Sequence, residues 1–414
     1  MGHGLRFVGL CQFPHSAAAR GIALLTGSAM SSTQRYSILM VAGEVSGDMH
    51  AAGVIRALKS KKSKIKIFGM GGPQMAEAGM DVREDLTKQA LIGFWEVVKH
   101  YPWIKKRFDQ CVDWMKREKP DLLFLIDYPG FNLRLAEKAH ELGIPVCYYV
   151  APQVWAWHKS RITQIRRVVQ KLLVILPFEE TFFKKERVPA VYVGHPLLEE
   201  MTFKKLPRAK AMKHYGVEGE RFPLVSVMPG SRKGEIEKLW PLCVEAARLL
   251  RKQYPDAGFV VPQPAGLTWE DYPGLHPDDA FFFVKAPAYD LRSVCDLAWV
   301  KSGTGTLETA LLKTPMAVIY KVSTLSGFLA KKFLTIPYVS LVNILAKKGL
   351  VAELLQEKAT PQALVQETVF ILEGAKIRQT QLKGFEVIRE SLAHSSMASA
   401  NAAEEIFKML GAKP

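Results

Sequence analysis

The sequence predicts an α/β protein made of two facing, Rossmann-like, doubly wound domains, and three observations carry that prediction. From Tyr36 onward a short apolar run, a Gly-containing turn and a helix-period segment recur along most of the chain, as they do in βαβ units. The cycle breaks once, in the charged stretch from Glu199 to Arg221, and then restarts. Several turns after apolar runs carry Gly, Ser, Thr or acidic residues where a helix begins, which is where open parallel sheets bind ligands.

The first series of strands is expected at Ser37–Ala42, Ile65–Gly69, Asp121–Ile126, Pro145–Val150, Leu172–Leu176 and Val191–Val193. The second is expected at Leu224–Met228, Gly258–Val261, Ala280–Val284, Leu297–Lys301 and Met316–Tyr320. The domains are therefore placed at 36–200 and 201–374, with helices from about 375 to 410 completing the first. Residues 1–35 contain Arg6, Arg20 and Arg35 but no acid. They are read as a dispensable extension or an upstream start, with translation from Met30 as one option and a transit peptide as the less favoured one.

A chain of 414 residues with 48% hydrophobic and 23% charged residues can bury sizeable cores. No apolar run approaches the roughly 20 residues that span a bilayer, so a soluble or peripheral protein is expected. The net charge of +16 attracts polyanions, whether nucleic acid, an anionic bilayer or a phosphorylated substrate. Nucleic acid is disfavoured because the basic residues are spread along the chain with few interleaved aromatics. The five cysteines are scattered and form no Cys-x-x-Cys pair, which fits a reducing cytoplasm and no metal site.

Pro229-Gly230-Ser231-Arg232 follows one apolar run and precedes a helical pattern. Glycine permits a tight turn, the helix start offers free N–H groups, and Arg232 suits a phosphate; an ordinary turn with a surface Arg fits equally well. Ser302-Gly303-Thr304-Gly305-Thr306-Leu307-Glu308 repeats the arrangement after Leu297–Lys301. Its small residues let a backbone approach a diphosphate, and Glu308 is placed to accept from ribose hydroxyls or to serve as a plain helix-start acid. Two anion-suited loops in one domain favour a nucleoside diphosphate.

In the first domain, Gly43-Glu44-Val45-Ser46-Gly47-Asp48 matches neither the dinucleotide nor the Walker pattern. Its two acids suit sugar hydroxyls, with Ser46 and N–H groups left for an anion, while Asp48 also fits a simple helix-start role. Asp127 closes another apolar run, at a general-base position that structural caps share. Trp155 and Trp157 fit sugar stacking or core packing. His158 and His195 have no neighbours at ligand spacing, and no Asp-x-Asp pair occurs.

Taken in order, AGEVSGD at 42–48, IDYPGFN at 126–132, APQVWAWHKSR at 151–161, GHPL at 194–197, PGSRKGE at 229–235, SGTGTLE at 302–308 and YVSLVNILA at 338–346 resemble the lipid-A-disaccharide synthases. The resemblance runs from about Tyr36 to near the C-terminus, and Gly305 stands where the family usually has Ala. It implies the GT-B glycosyltransferase fold and a metal-independent, cofactor-free, inverting transfer. The implied substrates are UDP-2,3-diacylglucosamine and 2,3-diacylglucosamine 1-phosphate, joined β-1,6 with release of UDP. By resemblance Asp127 is the base. Gly230, Ser231, Arg232 and the residues Ser302, Gly303, Thr304, Gly305, Thr306 and Glu308 hold UDP. Glu44, Ser46, Gly47, Asp48 and Asn343 line the acceptor or sugar site.

Acylated substrates imply a cytoplasmic protein peripheral on the inner membrane. The segment from Lys88 to Arg107 has the interfacial pattern: Phe94, Trp95 and Trp103 for the headgroup boundary, Lys99, Lys105, Lys106 and Arg107 for anionic lipid. Core packing is the competing account of its aromatics. A second candidate runs from Thr309 to Ala352, with six lysines and no acid. The oligomeric state stays open, a homodimer included.

Overall fold

The computed structural model describes residues 36–61, 64–87, 101–155, 161–264, 266–321 and 337–411. Residues 35 to 414 form one compact unit holding two parallel sheets.

The first sheet comprises β1 (Tyr36–Ala42), β2 (Ile65–Gly71), β3 (Asp81–Asp85), β4 (Leu122–Ile126), β5 (Val146–Tyr149), β6 (Lys171–Val174) and β7 (Ala190–Tyr192), in the order β3-β2-β1-β4-β5-β6-β7. The second comprises β8 (Leu224–Met228), β9 (Gly258–Gln263), β10 (Phe281–Lys285), β11 (Leu297–Lys301), β12 (Met316–Tyr320) and β13 (Ala352–Leu355), in the order β10-β9-β8-β11-β12-β13. Each sheet therefore starts in the middle, winds outward to one edge, and returns to wind the other way. The direction reverses between β1 and β4 in the first and between β8 and β11 in the second, and there the strand-to-helix loops diverge and leave a crevice.

Central strands are continuous apolar runs because helices cover both faces. Leu122 through Ile126 are all fully buried, and burying such a side chain contributes about 1.5–3 kcal/mol. The edges differ. β3 reads DVRED and carries no apolar run to mark it in the sequence, since an edge strand keeps solvent on one side. β13, AELL, lacks that signal for the same reason. Within the stretch from Glu199 to Arg221, read only as charged, lies the helix Arg208–His214.

The chain returns to the first sheet at its end. The helix Ala398–Leu410 buries Ala402, Ala403, Ile406 and Phe407 against Ile38, Met40, Phe124 and Tyr149. Its start is pinned by Glu199, which accepts from the Ser399 N–H at 2.8 Å and hydroxyl at 2.7 Å. Trp155, Leu176 and Leu197 share a third cluster with Ala298, Leu307, Val342 and Phe385, so apolar packing joins the two sheets beside the crevices.

Candidate active site

Because paired strands end level, the four critical loops begin at matched heights. Ala42 of β1 lies opposite Ile126 of β4, and Met228 of β8 opposite Val300 of β11. Glu44–Asp48 and Asp127–Asn132 thus flank one reversal point, while Gly230–Arg232 and Ser302–Thr306 flank the other. The two points face each other. Arg232 Nη2 donates to Glu44 Oε2 at 2.8 Å across the gap, and a cleft of about 460 Å³ is lined by Ser46, His50, Asp127 and Arg161 from one side and by Thr304 and Leu341 from the other.

Asp127 sits at the end of β4 under backbone strain. It and Tyr128 both adopt left-handed conformations, φ +47° and +49°; Asp tolerates this region better than most residues, whereas for Tyr128 the cost is of order 1–2 kcal/mol. The surroundings hold the strain in place. The Tyr148 hydroxyl donates to the Asp127 carbonyl at 2.5 Å, and the Asn132 amide donates to the same oxygen at 2.8 Å and to Ile126 at 3.1 Å. Tyr128 lies against Gly43, where an added Cβ would stand 2.4 Å from its ring. Burial, reinforced by the charge of Glu44, pushes the Asp127 carboxyl up to about 6, while His50 and Arg232 pull the other way. A carboxylate poised there is a serviceable base near neutral pH.

His50 stands one turn after Ser46 on the helix Val45–Ser60, so both reach the cleft. Its Nδ1 is 2.7 Å from Glu200 Oε1. Neighbouring His195 accepts from the Leu197 N–H at 3.2 Å, and burial, together with His50, pushes its titration down to about 3, so it stays neutral. Glu179, also on the cleft wall, accepts from Trp155 Nε1 at 3.0 Å and from the Leu176 N–H at 3.1 Å, and burial raises it to about 7. Trp155 is thereby core, its ring edge-on to Phe178 at 5.0 Å. Trp157 and His158 lie outside the described residues.

The second reversal point is cationic. Gly230 and Gly303 both take φ +151°, a conformation that suits glycine, and a Cβ on Gly230 would meet that of Glu235 at 2.5 Å. Glu235 organises this loop. It accepts from the Ser231 N–H at 3.0 Å, from Arg232 at 3.3 Å and from Lys301 at 2.8 Å. Burial would raise its titration, but Lys301 and Arg232 prevail and hold it below the usual range. Thr304 opens the helix Thr304–Leu311 toward the cleft, while Ser302 donates to the Val339 carbonyl and Thr306 to that of Gly303. Glu308 is aimed by the buried Arg292, whose Nη1 reaches Glu308 Oε2 at 2.8 Å.

Two expected contacts point away from the cleft. Asp48 is buried and accepts from the N–H groups of Gly72, Gln74 and Met75, at 2.9, 3.0 and 3.0 Å. It caps the helix Pro73–Glu77 and has no reach left for a sugar. Asn343 is also saturated: its amide nitrogen donates to Val351 and Glu353, its oxygen accepts from Leu350 and Val351, and it frames the segment that carries Leu341. Gly47 is buried near Ile126 and shapes the first turn of its helix.

Of the membrane candidates, Phe94, Trp95 and Lys99 lie outside the described residues. Trp103 is half-buried against the first core, and Arg107 stacks over its ring at 5.1 Å while pairing with Glu84 at 2.9 Å. Both side chains are thus engaged within the fold while staying partly exposed. Lys105 and Lys106 remain exposed on the helix Tyr101–Glu118. Among the described residues no helix is long and apolar enough to cross a membrane.

Comparison with known proteins agrees with this geometry. Solved structures sharing the fold include an S. aureus MnaA–UDP co-structure (TM-score 0.61, 14% identity, 92% of this chain and 99% of that one). CalG4, the calicheamicin glycosyltransferase, also aligns (TM-score 0.56, 13% identity, 91% and 99%). These likenesses establish the two-domain GT-B fold. At the sequence level, the lipid-A-disaccharide synthase of Trichlorobacter lovleyi is 38% identical over 86% of this chain and 93% of its own length. Those of Geobacter sulfurreducens and Coxiella burnetii are 36% identical over 92% and 90% of this chain and 99% and 97% of theirs. The family model for lipid-A-disaccharide synthetase matches residues 38–407, and with both reversal points inside that span the chain belongs to the lipid-A-disaccharide synthase family of glycosyltransferases.

Proposed function

We propose that the chain transfers 2,3-diacylglucosamine from its UDP ester to the 6-hydroxyl of 2,3-diacylglucosamine 1-phosphate, with inversion at the transferred carbon. The observation that carries this reading is the opposition of Asp127 at one reversal point and the Arg232 loop at the other. Asp127 takes the hydroxyl proton as the acceptor oxygen bonds to C1. The C1–O bond to the diphosphate breaks, and its electron pair leaves with UDP. Arg232, Lys301 and the N–H groups of the glycine loops meet the charge that grows there. Glu308, oriented by Arg292, is suited to accept from the ribose hydroxyls. Ser46 and Glu44 stand where sugar hydroxyls arrive.

Acyl chains on both substrates require contact with a bilayer. The exposed lysines at 105 and 106 supply an attractive face for anionic lipid. Mixing the purified protein with both lipid substrates tests the reading: a β-1,6 disaccharide by mass and one UDP per product are expected. UDP-sugar epimerisation without acceptor would overturn it.

A further inference from the structure

We infer that Arg161 is the anchor for the acceptor's phosphate, and so selects a phosphorylated sugar over a neutral one; this rests on the transfer reaction proposed above. The argument begins with the charges around the cleft. Arg232 is shared between Glu44 and Glu235 and belongs to the second reversal point. Lys301 is held by Glu235 at 2.8 Å. On the acceptor side His50 is engaged by Glu200, and buried His195 is kept neutral.

Arg161 differs from all of them. It opens the helix Arg161–Val168, lines the same cleft as Asp127, Ser46 and Gln153, and has no carboxylate partner among the described residues. The first turn of that helix contains no acid. Meanwhile Ile162 and Ile165 are packed into the first core, so the helix that carries the guanidinium is firmly seated. The Tyr148 hydroxyl donates to the Asp127 carbonyl, and Asp127 and Arg161 line the same cleft.

Their placement on one cleft suits the chemistry. An acceptor presenting its 6-hydroxyl to Asp127 carries its 1-phosphate on C1, which is joined to C5 through the ring oxygen, so the phosphate's partner must lie in the same cleft as the base. A planar guanidinium with five donors matches a phosphate dianion in bidentate fashion, which a lysine does not. Gln153 and Ser46 line the same cleft and offer neutral donors to the rest of the acceptor.

The test crosses two enzymes with two acceptors. With wild-type protein, removing the acceptor's phosphate should lower kcat/KM by about 10- to 100-fold, the scale of charge-assisted hydrogen bonds. Arg161→Gln should lower it by a similar factor on the phosphorylated acceptor, chiefly through KM, yet leave the slow reaction of 2,3-diacylglucosamine unchanged. Arg161→Lys keeps the charge and should lose several-fold on the phosphorylated acceptor only, which retains a readout if the Gln variant fails to fold. Equal losses on both acceptors would overturn the inference by making Arg161 a contact to the sugar or the fold. Weakened UDP binding would overturn it too, by assigning the guanidinium to the donor. If wild-type protein releases no UDP from the two lipid substrates, the fault lies with the proposed reaction and not with Arg161.

Discussion

The two reversal points share a topology and treat backbone strain in opposite ways. Beside β1 and β4 the left-handed positions fall on Asp127, the proposed base, and on Tyr128, whose ring packs against Gly43. Beside β8 and β11 they fall on Gly230 and Gly303, which bear no side chain. The charge differs to match: Asp127 and Glu44 on one side, Arg232 and Lys301 on the other. Where a reaction needs a side chain at a fixed angle, the fold carries the strain and surrounds it with Tyr148, Asn132 and Gly43. Where it needs bare N–H groups, glycine removes the strain altogether. One crevice is thereby suited to removing a proton and the other to receiving negative charge.

The sharpest way to break this contrast is Asp127→Asn. It preserves shape and removes the base, so kcat should fall by about 10²- to 10⁴-fold while UDP affinity, measured by calorimetry, stays near wild type. Turnover close to wild type would remove Asp127 from the chemistry. Arg232→Ala attacks the other side and should weaken UDP binding and lower kcat/KM by about 10²-fold. A loss of rate without any loss of UDP affinity would confine Arg232 to the transition state or to its pairing with Glu44.

The pH profile follows from Asp127 at about 6. As a base it works ionised, so kcat/KM should fall about tenfold per unit below that value. For stability the sign reverses from the ordinary carboxylate. Folding raises this carboxyl from its usual 3.8, so between those values the folded state binds more protons than the unfolded one, and stability declines as pH rises from about 4 through 6. Above pH 6 the cost reaches at most about 3 kcal/mol. Asp127→Asn removes it, so the inactive variant should melt at a higher temperature than wild type at pH 7.5. An unchanged or lower Tm would mean that the ionised carboxyl is not a burden on the fold.

Gly43→Ala probes the support for the strain. Its Cβ would stand 2.4 Å from the Tyr128 ring, so the ring must move and release the left-handed pair. A destabilisation of about 1–3 kcal/mol in urea and a drop in kcat are expected, with UDP affinity retained. Retained kcat would show that Asp127 is oriented by Asn132 and Tyr148 alone.

How much of this was legible in the chain depends on distance along it. The central strands were readable because burial on both faces makes them unbroken apolar runs, and the four loops because glycine, hydroxyl and charged residues follow those runs directly. The edge strands β3 and β13 lack that signal. Pairings across the fold were hidden for another reason. His50 meets Glu200 150 positions away, Arg232 meets Glu44 188 positions away, and no local pattern encodes either. His50 alone left a trace, four residues after Ser46 on the same helix. Asp48 and Asn343 sit within motifs, yet their hydrogen bonds are spent inside the fold; a motif marks a residue as constrained without saying which way it faces.

The smallest effect is expected at the membrane face, where the same distinction between exposed and committed residues decides the outcome. Trp103 and Arg107, each held by a partner in the fold, are poor candidates for lipid contact: Trp103→Ser should destabilise the protein and leave vesicle binding of the folded fraction unchanged. Lys105 and Lys106 are exposed, although Lys105 shares its charge with Asp109 at 2.6 Å. A basic residue near an anionic surface contributes on the order of 1 kcal/mol, and Asp109 offsets part of that for Lys105. Replacing both lysines with Glu should thus weaken binding to vesicles containing anionic lipid by about 10-fold at low salt. The difference should shrink at high ionic strength, where surface charges are screened. UDP affinity should not move, because the loops proposed to hold UDP belong to the second sheet. Unchanged vesicle binding by the double variant would transfer membrane attachment to another surface.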